Sequence, residues 1–222
     1  MHSILLAFAF AFVHVQGLVW PIDSKGSPVP GSIRTFYMNP QNLWGNRMLY
    51  RGGYHQLNPA VNRVVRRCNG AYNDNNTYSV VSKPAHLVAP SNDPHDYYSL
   101  ARYFWPNASV PGGLPYMRAD GFINPEIYLI PDVAYLNVMF DDVRDCSLAY
   151  FFTGNETFSG VAVRRLRDWF LNPATRMNPT LQFANWVKGT PLAVTTANGT
   201  GISVASNSGG LLGNFDLERR VS

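Results

Sequence analysis

Between Pro131 and Leu171 the chain writes out two helices and the joint between them, and this stretch limits its folding more than any other. "PDVAYLNVMFDDVRDCSLAYFFTG", Pro131 to Gly154, sets Val133, Leu136, Phe140, Val143 and Leu148 on one stripe and ends at a glycine suited to a helix C-terminus. "ETFSGVAVRRLRDWFL", residues 156–171, carries Phe158, Val161, Leu166, Trp169 and Phe170 as its apolar set and stops before Pro173. Only "TGN" lies between them, which makes the two helices antiparallel neighbours. A chain organised around such a hairpin is all-α. Hairpins of this kind tile into a helical solenoid or toroid, although no internal repeat is visible in the sequence.

Residues 58–71, "NPAVNRVVRRCNGA", predict a further helix, with Asn58 as N-cap, Pro59 at the first helical position and Val61, Val64, Val65 and Cys68 at helical spacing. Arg63, Arg66 and Arg67 fall mostly on its wet side and read as a solvated face, with a ligand patch as the alternative. From 72 to 131 the chain is rich in Pro, Gly, Asn and Tyr and shows no sustained period. A loop of that length inside a compact domain is uncommon unless it is functional.

The 222 residues suit one medium domain and are too few for two comfortable ones. "MHSILLAFAFAFVHVQG" reads as a signal peptide over 1–17, since its apolar run is shorter than the roughly 20 residues that span a bilayer. A leader follows over 18–35, then the folded part over 36–192, then a Gly/Ser/Asn/Thr-rich tail over 193–222 expected to be flexible. Sequons at Asn75, Asn107, Asn155 and Asn198 agree with export, whereas Pro179 blocks Asn178 as an acceptor. Cys68 and Cys146 are the only cysteines. In an oxidising compartment they favour one disulfide over a metal site, with two buried thiols as the alternative. The expected protein is secreted, monomeric and off the membrane once the signal is cleaved. Its net charge of +4, from 18 basic and 14 acidic side chains, suits an acidic polysaccharide rather than nucleic acid, though ordinary solubility charge gives the same figure.

Several chemistries are excluded. The sequence holds no phosphate-cradling Gly-rich loop with lysine, no His-Glu-x-x-His pair and no Gly-x-Ser-x-Gly elbow, and neither a metal nor another cofactor is expected. "HDYYSLARYFWPNASVPGGLPYMRADGFINPE", residues 95–126, gathers flat rings with planar donors, the mixture a sugar groove uses. Tyr97, Tyr98, Tyr103, Trp105 and Tyr116 are candidates to stack on or donate to a sugar. Arg118 is a candidate carboxylate clamp, and Asn124 a partner for a hydroxyl or neutralised acid. The alternative is a loop whose rings plug the core, with Arg118 tied to Asp120 or Glu126. "RMNPTLQFAN" offers Asn178, Gln182 and Asn185 to the same groove, unless Asn178 simply starts a helix before Pro179. His95 has the chemistry of a general base and equally the place of a hydrogen-bonding loop residue.

"YSVVSKP" at 78–84, "HDYYSLARYFWPN" at 95–107, "GLPYMRADGFINPE" at 113–126 and "LRDWFLNPATRMNPTLQFAN" at 166–185 together resemble the alginate-lyase superfamily domain of polysaccharide lyases. Phe104 stands where the first Trp of that family's Trp-Trp-Pro element usually sits. The resemblance implies an (α/α) toroid or incomplete barrel of helix hairpins with an acidic-polysaccharide groove, and β-elimination at uronic acids. That reaction removes the proton on C5, α to a carboxylate, and expels the O4-linked sugar. The acid's charge must first be neutralised by Asn, Arg or His donors, before a Tyr or His base acts. The family's Asn-Asn-His element and its later Arg and Tyr have no counterpart here. The resemblance therefore implies an incomplete chain, with the binding portion but not the main catalytic set, and no catalytic residue is assigned. A non-catalytic carbohydrate-binding protein is the alternative function.

Overall fold

The structure, a computed structural model, describes residues 38–191. The expected signal peptide, the leader, the tail and the sequon at Asn198 lie outside the described residues. Among these residues the regular structure is helical: α1 (Pro40–Arg51), α2 (Asn58–Asn73), α3 (Asp132–Thr153) and α4 (Glu156–Phe170). The β structure is an antiparallel pair of two-residue strands, β1 (Phe104–Trp105) and β2 (Met117–Arg118). This is the all-α class that the hairpin predicts.

The sequence pattern does not reveal α1, because that helix buries only Leu43 and so carries no apolar stripe. Its start signal is nevertheless present: the Asn39 side chain accepts from the Asn42 N–H at 2.9 Å, and Pro40 begins the helix. In α2 the expected cap is displaced by one residue. Asn58 is the first helical residue, Leu57 stands at the cap, and Pro59 comes second. The 3-10 turn His55–Leu57 runs directly into α2, with Leu57 already in the helical region, so no extended residue precedes it.

The joint between α3 and α4 forms as expected. Gly154 takes φ +77, a left-handed value that glycine adopts without strain, and its N–H bonds to the Tyr150 carbonyl at 2.7 Å. Asn155 then caps α4 by accepting from the Thr157 N–H at 3.0 Å. Arg165 on α4 donates from Nε to Asp142 on α3 at 2.8 Å, and the two residues stand at similar distances either side of the turn, as antiparallel neighbours do.

The chain forms two compact units, each from two stretches. The described part of the first is 38–77 with 138–168. In it Cys68 of α2 and Cys146 of α3, both fully buried, form the expected disulfide. Arg67, expected mostly on the wet side, is largely exposed and reaches the buried Asp145 at 3.3 Å. Of the sequons in this unit, Asn75 and Asn155 are exposed.

The described part of the second unit is 78–137 with 169–191. Its long segment contains three 3-10 turns and the β ladder rather than an α-helix before α3. The segment is held by backbone pairing with the stretch that follows α4: Ser99 N–H to Phe183 O, Trp186 N–H to Ser99 O, and Ala101 N–H to Trp186 O, at 3.1, 2.7 and 2.8 Å. The core beneath consists of Ala89, Tyr98, Leu100, Ile130, Phe183 and Trp186.

Candidate functional site

The second unit is stiffened by a buried polar network. Lys83 and Asp132, both with fully buried side chains, meet at 2.6 Å. The Lys83 ammonium also donates to the Asp96 carbonyl at 2.8 Å, and the Tyr98 N–H donates to the same Asp132 oxygen at 2.8 Å. Burial pushes the Asp132 carboxyl up to about 6, against the charge and hydrogen bond of Lys83. The same burial pushes the Lys83 ammonium down, against Asp132. The pair therefore ties the start of α3 to the tyrosine-rich segment.

On this frame sits a part-exposed cluster of Tyr116, Glu126 and Lys188. The Tyr116 hydroxyl donates to the Glu126 carboxylate, with oxygens at 2.8 and 3.0 Å. Lys188 Nζ donates to Glu126 Oε2 at 2.6 Å and lies 5.4 Å from the centre of the Tyr116 ring. Backbone geometry fixes the neighbours: the Tyr116 N–H bonds to the Lys188 carbonyl at 2.9 Å. Gly189 takes φ +84, and a Cβ there would lie 2.7 Å from the Pro115 Cα, so the two strands of chain approach this closely only around a glycine. Asn124 positions the acid: its side chain accepts from the Glu126 N–H at 3.0 Å and donates to the Phe104 carbonyl at 2.9 Å.

Burial, and then donation to Glu126, raise the Tyr116 pKa, so the phenol keeps its proton at neutral pH. The Lys188 hydrogen bond, opposed by burial and aided by Tyr116, holds Glu126 below the usual carboxylate range. Burial pulls Lys188 down, but its bond to Glu126 and the neighbouring charges outweigh that and raise it. Tyr98 feels the charges of Lys188 and Glu126, and its phenol is raised chiefly by burial. The cluster is thus a proton donor held against a fixed ion pair.

The structure brings together only some of the residues that the sequence suggests. Tyr98 and Tyr116 share the cluster, and Asn124 supports it from a buried position, 3 % exposed, where it meets backbone rather than a ligand. Tyr97 is 1 % exposed and Tyr98 8 %, so both rings belong to the core and neither can stack on a sugar. Tyr103 is exposed, and Trp105 is partly exposed with its indole N–H given to the Phe122 carbonyl at 2.8 Å. Arg118 takes the tied alternative, its Nε bonding to Asp120 at 2.6 Å between two largely exposed side chains. The ladder pairs Phe104 with Arg118 and Trp105 with Met117, so Trp105 and Arg118 point to opposite faces rather than into one groove.

Asn178 starts no helix. Its amide donates to Asp93 and Asp96 at 2.9 and 2.8 Å, closing the turn before His95. Asn185 takes φ +58 and gives its N–H to the Ser99 hydroxyl at 2.9 Å, while Gln182 is exposed. His95 Nδ1 lies 2.6 Å from the Arg176 carbonyl. A carbonyl only accepts, so Nδ1 carries the proton, and Nε2 of the neutral ring carries a lone pair. Two members of the cluster escaped sequence reasoning as functional residues. Glu126 was visible only as a possible partner for Arg118, and Lys188 lies in a stretch without periodicity.

Residues 80–207 match the alginate lyase family. Among solved structures, the chain resembles an alginate lyase from Bacteroides ovatus at 34% identity with a TM-score of 0.61, covering 70% of this chain and 40% of that one. No curated protein matches the chain at a significant level. By this likeness it is a domain of alginate-lyase type. Because the family match takes in more than half of the 222 residues, the chain belongs to the alginate lyase family. It spans 40% of the length of the Bacteroides ovatus structure.

Proposed function

We propose that the chain is the binding and proton-donating part of an exported polysaccharide lyase that cleaves a uronate polymer, alginate-like or glucuronan-like, by β-elimination. In this reaction a base takes the C5 proton, the electron pair forms the C4–C5 double bond, and the C4–O4 bond breaks. The leaving oxygen needs a proton. Tyr116 is the residue we place there, and the single observation carrying the proposal is its phenol, kept protonated against Glu126 beside Lys188 within the family-matched segment. Arg118, bonded through Nε to Asp120 and otherwise exposed, is placed at the substrate's carboxylate.

Export is supported by the fully buried Cys68–Cys146 bridge, which belongs to an oxidising compartment, and by the exposed sequon asparagines Asn75 and Asn155. Incubation of the protein with polyglucuronate and with alginate tests the proposal. Products absorbing in the ultraviolet band of an unsaturated uronate are expected. Retention of the polymer in an affinity gel without new absorbance would assign the chain to carbohydrate binding alone.

A further inference from the structure

The first unit holds a second group of rings and cations that the proposed reaction does not use. Helix α1 places Trp44, Arg47 and Arg51 at helical spacing, so that they follow one another along one side. The Arg47 guanidinium carbon lies 5.0 Å from the centre of the Trp44 ring and 4.9 Å from that of Phe151, while the two rings stand 6.3 Å apart at 64°. The guanidinium is thus clamped between two aromatic faces. Arg51 reaches the turn after α3, where its Nη2 comes within 3.4 Å of the position a Cβ on Gly154 would take. Two cations therefore converge on the last turn of α3.

Among the described residues neither cation is matched by an acid. Among the described residues Arg47 and Arg51 form no ion pair, and the Arg47 Nε is buried without a hydrogen-bond partner. The nearby Glu156 carboxylate accepts from Tyr150 at 3.5 Å and from Ser159 at 3.2 Å. The carbonyl end of α3 attracts positive charge and accounts for one arginine there, but two guanidinium groups one turn apart repel each other. Ring clamping also removes the rotamer freedom that an arginine otherwise loses on binding, leaving its planar donors set for a two-oxygen partner.

We propose that Arg47 and Arg51, framed by Trp44 and Phe151, form an anion subsite on the first unit that takes the carboxylate of a uronic acid within an acidic glycan. The glycan class rests on the proposed function above, while the site and its residues do not. The subsite adds binding without chemistry, so it acts on affinity and on the choice of acidic over neutral chains.

The test is calorimetric titration of the full chain with a glucuronate tetrasaccharide and with cellotetraose as a neutral control. Arg51→Gln removes an exposed side chain and is expected to weaken glucuronate binding about ten-fold while leaving the control and the melting temperature unchanged. Arg47→Lys keeps the charge but loses the fork and the flat stacking surface, and a similar loss is expected. Glucuronate binding like that of the unaltered chain in both variants overturns the subsite. If Arg118→Gln alone abolishes binding, the subsite again falls and the proposed function stands. If Arg51→Gln weakens binding but no polyuronate yields unsaturated products, the subsite stands and the lyase reading falls.

Discussion

Replacing Lys83 by Met probes the network that holds the tyrosine-rich segment in place. Lys83 and Asp132 meet at 2.6 Å with no exposure of either side chain, and Asp132 Oδ1 has no hydrogen-bond partner. Asp132 carries a folded-state pKa of about 6 against an ordinary 3.8. A carboxyl raised on folding contributes stability at low pH and loses it as pH climbs through its folded-state value; at 1.36 kcal/mol per unit the difference is roughly 3 kcal/mol. Removing the ammonium takes away the charge that offsets burial, so the carboxyl rises further. The penalty of Lys83→Met must then grow with pH, by about 1.4 kcal/mol per unit, towards the roughly 3–5 kcal/mol typical of a broken buried pair at about pH 8. Urea unfolding of both proteins at several pH values measures this, and hydrogen exchange of the Tyr98 amide, which bonds to Asp132 at 2.8 Å, reports the same region locally. A penalty identical at about pH 5 and about pH 8 would refute the reasoning, because it would mean that removing Lys83 does not change the titration of Asp132 in the folded state.

Gly189→Ala puts a Cβ at 2.7 Å from the Pro115 Cα on a backbone at φ +84; a melting curve is expected to show a loss of ~1–3 kcal/mol. Opening the disulfide by Cys146→Ser frees a loop with a sequence separation of 78, whose closure entropy sets a loss of at most ~4.5 kcal/mol, to be read from chemical denaturation with and without reductant. Tyr116→Phe removes the hydroxyl that donates to Glu126 at 2.8 Å. The elimination rate should fall at least about a hundred-fold while the glucuronate dissociation constant changes little, as stopped assays and titration would show.

The parts of this fold that were legible in the sequence are those with a period. The observed ends of α3 and α4, Asp132–Thr153 and Glu156–Phe170, fall within a residue of the pattern, but the buried face of α3 runs through Leu136, Met139, Val143, Cys146 and Ala149, whereas Val133, Phe140 and Leu148 of the expected stripe are only partly buried. Cys68 and Cys146 were readable because two cysteines leave a single intramolecular pairing. α1 was not, since one buried leucine makes no stripe, and only Asn39 with Pro40 marked its start. The site was half legible. Composition located the tyrosine-rich segment, but a non-periodic segment gives no sign of which rings turn inward, and so Tyr97 and Tyr98 were indistinguishable from the exposed Tyr103. The alternation of the β ladder, which separates Trp105 from Arg118, depends on where Met117 and Arg118 pair. Lys188 joins Glu126 only through the backbone pairing beside Tyr116, a contact between residues far apart in sequence that no local pattern announces.

The mass of the oligosaccharides released from polyglucuronate tests the central claim most directly. Elimination leaves each new non-reducing end one water lighter than hydrolysis does, and this lighter series is the predicted result. Products carrying the added water, with saturated ends, would contradict a lyase and with it the role given to Tyr116.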